Sequence, residues 1–150
     1  MERTVNLMKL CLILGDQLSE DLSSLQSLNP GDEILMAEVN AEASYVQHHP
    51  QKIALIFSGM RHFAKQLRNL GHTVHYIKLT DPQNQGDLLG QMKHLSEQLQ
   101  VQQWVITEPG EWRLKKIFKE AAHNTDLDIS LLEDTRFVVS HQEFQDFLNA

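Results

Sequence analysis

The fold class predicted by this sequence is an α/β domain, with βα units wrapped around a five-stranded parallel sheet. Short apolar runs rich in branched residues alternate with stretches of helical period, which is the signature of βα repeats. Several of those runs are apolar at consecutive positions, as strands covered on both faces must be. The length of 150 residues fits one domain with an ordinary core.

The predicted strands are Leu7–Leu14 (LMKLCLIL), Glu33–Val39 (EILMAEV), Thr73–Lys78 (TVHYIK), Gln103–Thr107 (QWVIT) and Asp128–Leu132 (DISLL). Val5–Leu14 is apolar enough for a secretory core, but Gly15, Asp16 and Gln17 stand where small cleavage-site residues would be expected, so it reads as the first strand. Between the second and third strands, "IALIF" alone looks like another strand. Period decides against it. Ile53, Ile56, Phe57, Met60, Phe63, Ala64 and Leu67 recur at helical steps, while Lys52, Arg61, Lys65 and Arg68 fall largely elsewhere. Pro50 suits the first turn of this helix and Gly71 the left-handed residue that ends it. Two further helices, near Gly86–Gln100 and Glu111–Asn124, cross to the fourth and fifth strands. No long linker, low-complexity tract or internal repeat interrupts this order.

Composition excludes several classes of function. The net charge of −7 opposes binding to polyphosphate, so direct nucleic-acid binding is not expected, and a neutral ligand or a protein partner suits the chain better. No run of about 18 apolar residues is available to cross a bilayer. Cys11 is the single cysteine, so neither a disulfide nor a cysteine-ligated cluster can form within the chain, and a cytoplasmic location is expected.

In open parallel sheets ligands bind outside the carboxyl ends of the strands. Those ends read "GDQLS", "AEVNAEASY" and "TEPGEW", and they place Asp16, Glu38, Glu42, Glu108 and Glu111 there. The first loop lacks the glycines of G-x-G-x-x-G, and the chain has no G-x-x-x-x-G-K-[ST], so neither phosphate cradle is supported. Carboxylates repel phosphate but accept hydrogen bonds from ring N–H groups and hydroxyls, which points to a neutral heterocycle bearing a polyol. If the chain turns helical near Asn40, Glu42 and Tyr45 share one face and bring a carboxylate and a ring to the same crevice.

Other chemistries are less well supported. Glu38, Glu42, His48 and His49 are close in sequence, and Glu120 to His123 has Glu-x-x-His spacing, but carboxylate-bridged metal sites need that spacing twice, so no metal is expected. His72 and His75 lie three apart on a strand, hence on opposite faces. His48 and His49 are expected to hydrogen-bond in the turn before Pro50. A phosphoacceptor receiver domain needs an acidic pair after the first strand and an aspartate after the third; "LGDQ" offers one acid and "IKLTDP" a displaced Asp81. A G-x-S-x-G elbow is missing as well.

Five motifs in order, "LILGDQLS", "MAEVNAEASYVQHHPQKIALIFSGMRHFAKQL", "HTVHYIKL", "ITEPGEWR" and "EDTRFVVSHQEF", resemble the amino-terminal domain of the deoxyribodipyrimidine photolyase-related proteins, the iron–sulfur bacterial cryptochromes and photolyases. The resemblance covers nearly the whole chain. One departure is Gly59, where the family usually has alanine, a change that loosens a helix by about 1 kcal/mol. The resemblance implies a Rossmann-like three-layer domain that binds a light-harvesting antenna chromophore, 6,7-dimethyl-8-ribityllumazine or a similar ring, for flavin-dependent, light-driven DNA repair or photoreception. It implies contacts from Gly15 and Asp16, from Ala37 and Glu38, from Glu42 and Tyr45, and from Ile56, with the two histidines structural. FAD and a 4Fe–4S cluster belong to the family's larger helical domain, which is expected to follow past Phe147 and to be absent from this chain. No catalytic residue and no repair activity are therefore expected here. The alternative is a freestanding small-ligand-binding or interaction module of the same fold without catalysis.

Overall fold

The computed structural model describes residues 7–150; Val5 and Asn6, at the start of the secretory-like run, lie outside the described residues. The strands are β1 (Leu10–Leu12), β2 (Glu33–Ala37), β3 (Thr73–Ile77), β4 (Gln103–Thr107) and β5 (Asp128–Leu132). The helices are α1 (Ser23–Gln26), α2 (Asn40–Ser44), α3 (Pro50–Asn69), α4 (Leu88–Leu99), α5 (Trp112–Asn124) and α6 (His141–Asn149). All four strand pairings are parallel and the order is β3-β2-β1-β4-β5, with Cys11 beside both Ile34 and Val105. This is the expected five-stranded α/β sheet of Rossmann-like, three-layer form.

Side-chain alternation along the strands builds the layers. Leu10, Leu12 and Leu14, with Leu35, Ala37 and Val39, face Leu88, Met92 and Leu95 of α4 and Leu114 and Phe118 of α5. Cys11, Ile13, Ile34 and Met36 face the opposite way, onto Leu25 of α1 and Met60, Phe63, Ala64 and Leu67 of α3. Burying both faces is why consecutive positions in these runs are apolar.

The long apolar segment is helical, as its period predicts. His49 is the N-cap of α3, its ring accepting from Gln51 N–H at 3.2 Å, Pro50 opens the first turn, and Gly71 follows the helix at φ 96°. None of the first ten residues of α3 is buried; Met60 is the first that is. The amino-terminal half of α3 thus stands out past the sheet. Gly59 lets it sit close to the β1–α1 loop, since a methyl there would lie 3.2 Å from Leu18 Cδ1.

Two helices are additions to the expected plan. α1 is a single turn, and α6 is capped by Ser140, whose hydroxyl accepts from Glu143 N–H at 3.1 Å while Glu143 accepts from Ser140 N–H at 2.8 Å. Among the described residues no helix is long and apolar enough to cross a membrane.

Candidate functional site

In this topology the strand order reverses between β1 and β4, where a crevice would ordinarily open at the carboxyl ends. Here polar side chains close it. Gln17, buried in the loop after β1, donates through Nε2 to the carbonyls of Thr107 (2.9 Å) and Glu108 (3.4 Å). The Thr107 hydroxyl accepts from Ser24 N–H at 3.0 Å and shares a 2.8 Å hydrogen bond with the Ser24 hydroxyl. Besides the space beyond β4 and β5 by Glu108 and Glu133, open space lies on the other side of the seam, over the ends of β1 and β2.

That space is a cavity of about 270 Å³. Its floor is Ile13, Leu14, Gly15, Ala37 and Val39, its far walls are Leu88 and Leu114, and one side is the protruding half of α3 through Ile53, Ile56, Phe57 and Met60. The mouth carries Asp16, Glu42, Tyr45, His48, Lys52 and Glu111. Apolar walls with a few polar groups at the rim are the usual make-up of a small-molecule site, and the volume lies just under the common range of about 300 to 1,000 Å³. The loop chemistry explains the shape. A Cβ on Gly15 would meet Ile56 Cγ2 at 3.1 Å and Met60 Sδ at 3.2 Å, so glycine allows the β1 loop to approach α3 closely.

Gly15, Asp16, Ala37, Glu42, Tyr45 and Ile56 of the expected contacts come together on this cavity. Glu38 does not. Its side chain is fully buried on the α3 side of the sheet, where Arg61 donates to both carboxylate oxygens at 2.6 and 2.9 Å, the Tyr76 hydroxyl donates at 2.6 Å and Leu79 N–H at 3.0 Å. Burial raises the carboxyl's pKa, but these donors outweigh it and hold the group below its ordinary value. Ala37 and Val39 face the cavity, so the residue between them has to face away. Glu38 is a structural anchor, and its backbone carbonyl also accepts from Asn84 Nδ2 at 2.7 Å, fixing the loop after β3.

The expectation that both histidines serve the turn before Pro50 holds for His49 alone. His48 lines the cavity, its ring 5.6 Å from that of Tyr45 in an edge-on arrangement. A further contributor escaped the sequence reading. Arg113, in the first turn of α5, donates Nη2 to Glu42 at 2.7 Å and Nε to Glu111 at 2.8 Å, and its guanidinium lies 4.2 Å from the Tyr45 ring centroid. A cation in the first turn of a helix opposes the helix dipole, so an Arg there marks a position fixed by its partners rather than by helix stability.

The chain's residues do not fit an iron–sulfur cluster, which needs several thiolates. Cys11 is buried in β1 and burial, with Asp32 nearby, pushes its thiol up to about 12.

Comparison with known proteins agrees with the motif resemblance. The family model described as deoxyribodipyrimidine photo-lyase-related protein matches residues 11–150. The chain is 42% identical over 140 residues to a protein from Agrobacterium fabrum (strain C58 / ATCC 33970) named (6-4) photolyase; the match covers 93% of this chain and 28% of that relative's length. With its family-specific motifs in order on this parallel sheet, and the family match running almost end to end, the chain belongs to the deoxyribodipyrimidine photo-lyase-related protein family.

Proposed function

We propose that this chain is the antenna domain of a light-driven DNA-repair or photoreceptor protein, and that the cavity over β1 and β2 holds 6,7-dimethyl-8-ribityllumazine or a ring of similar size. The observation that carries the proposal is the meeting of three separated motifs, "GDQ", "AEASY" and "ALIF", on one cavity of about 270 Å³ with apolar walls and an acidic rim. The volume suits a bicyclic ring better than a dinucleotide. Asp16, Glu42 and Glu111 supply acceptors for ring N–H and ribityl hydroxyls, and Tyr45 supplies an aromatic wall. An antenna needs a rigidly held chromophore and no proton transfer, which agrees with a site in which Glu42 and Glu111 are each paired with Arg113.

We place neither FAD nor an iron–sulfur cluster on these residues. The domain is proposed to act in the cytoplasm, in contact with a chromophore and not with DNA.

The test is a fluorescence titration of the purified chain with 6,7-dimethyl-8-ribityllumazine. A saturable change in ligand emission is expected; its absence up to high micromolar ligand, in a sample with a cooperative melt, overturns the proposal.

A further inference from the structure

The wall of the cavity formed by residues 40–48 is weakly rooted. α2 buries no residue of its own, and apart from its junction with β2 its backbone is held from outside, among the described residues, by one hydrogen bond, Ala41 N–H to the Gly86 carbonyl at 3.0 Å. Its remaining tie crosses the mouth to Arg113. That side chain joins Glu42 to Glu111 by charge-assisted hydrogen bonds of 2.7 and 2.8 Å and covers the face of Tyr45. Glu42, Tyr45 and Glu111 line the cavity, whereas Arg113 stands behind them.

We infer that Arg113 is the positioning residue of this site, a latch that holds the 40–48 wall against the start of α5 and thereby sets the width of the slot and the rate at which a bound ring escapes. The ring-escape part rests on the ligand proposed above; the latch itself does not. The geometry favours a latch over a ligand contact because both acidic partners and one aromatic face already occupy the guanidinium. A planar fork that bridges two carboxylates while stacked on a ring is also a role lysine fills poorly. The links are partly solvated, so they are strong enough to bias the wall and weak enough to open.

The experiment is amide hydrogen exchange on the full chain, read at Ala41 and Ala43, whose N–H groups are hydrogen-bonded to Gly86 and Val39. Arg113→Gln should speed exchange there by roughly threefold to tenfold while β4 amides keep their wild-type rates, with Arg113→Lys intermediate and 0.5 M salt moving wild type toward the variant. Release of 6,7-dimethyl-8-ribityllumazine should quicken in the same order. Exchange at Ala41 and Ala43 identical in wild type and Arg113→Gln overturns the latch. If Arg113→Gln does not fold, Glu42→Gln and Glu111→Gln each remove one arm, and unchanged exchange in both overturns it equally. Faster exchange in a protein that binds no lumazine upholds the latch and removes the proposed ligand.

Discussion

Arg61 grips both carboxylate oxygens of Glu38, Nε to Oε1 at 2.6 Å and Nη2 to Oε2 at 2.9 Å, although Glu38 is wholly buried and Arg61 is half exposed. The pair ties α3 to the end of β2, and the Tyr76 hydroxyl and Leu79 N–H complete the carboxylate's shell. The protruding half of α3 therefore takes its position, and the cavity its side wall, from a charge interaction one turn below. Glu38→Gln replaces one acceptor oxygen with a donor that faces other donors. Because Arg61 can recover water, the loss should stay below that of a fully buried pair, at about 2 kcal/mol of stability. Urea melts of the two proteins check it, and a difference under about 0.5 kcal/mol would show that the shell is dispensable.

The same group fixes a pH dependence. The folded protein holds the Glu38 carboxyl below its ordinary value of 4.5. A carboxyl depressed on folding stabilises the native state above the unfolded pKa, and that contribution is lost as pH falls through the folded one. The stability gap between wild type and Glu38→Gln should therefore be level near pH 7 and shrink as the pH drops below about 4.5. Other carboxylates titrate in both proteins and cancel. A gap that widens on acidification would mean that Glu38 is protonated in the native state.

Most of the fold was legible because its signals were redundant. Gln103–Thr107 and Asp128–Leu132 are strands at the predicted bounds, and Pro50 and Gly71 bracket α3 as their backbone preferences require. α6 went unnoticed although Phe144, Phe147 and Leu148 keep helical spacing and Ser140 with Glu143 forms a capping box. α1, a lone serine-rich turn, offers no period to detect. At the site, motif position names residues of three segments that line one cavity, but it sets Glu38 beside Ala37 against strand alternation, which alone excludes both pointing the same way. Gln17 and Arg113 were out of reach for a different reason: their partners, Thr107 and Glu42, are 90 and 71 residues away, and no local spacing encodes such pairings.

The close approach at Gly15 gives a test of the cavity that needs no charge. Gly15→Val puts Cβ 3.1 Å from Ile56 Cγ2 and 3.2 Å from Met60 Sδ, tighter than ordinary contact, and its methyls extend further. Both neighbours are flexible and Ile56 is partly exposed, so the cost should fall at the lower end of overpacking, about 1 to 2 kcal/mol. Ile56 moves into the cavity as it gives way, and lumazine affinity should drop by more than about tenfold, or 1.4 kcal/mol. Thermal melts and titrations together decide: a folded Gly15→Val protein with wild-type affinity would place the ring elsewhere.

Glu42 separates direct recognition from support. Its Oε2 is engaged by Arg113 at 2.7 Å, and its side chain remains about a quarter exposed at the mouth of the cavity. If it served only to anchor Arg113, Glu42→Gln, which removes one arm of the latch, would weaken binding no more than Arg113→Gln, which removes both arms and the contact with Tyr45. A carboxylate that also accepts from a ring N–H or a ribityl hydroxyl loses more on becoming an amide, about 1.5 to 3 kcal/mol for a bond to a charged group. Each surface-type ion pair accounts for about 0.5 kcal/mol of stability, one pair being lost in Glu42→Gln and two in Arg113→Gln. Glu42→Gln is accordingly expected to bind 6,7-dimethyl-8-ribityllumazine more weakly than Arg113→Gln does, at nearly equal melting temperatures. Binding by Glu42→Gln as tight as that of Arg113→Gln, or tighter, would make Glu42 a mere anchor of the latch and shift the acceptor role to Asp16 and Glu111.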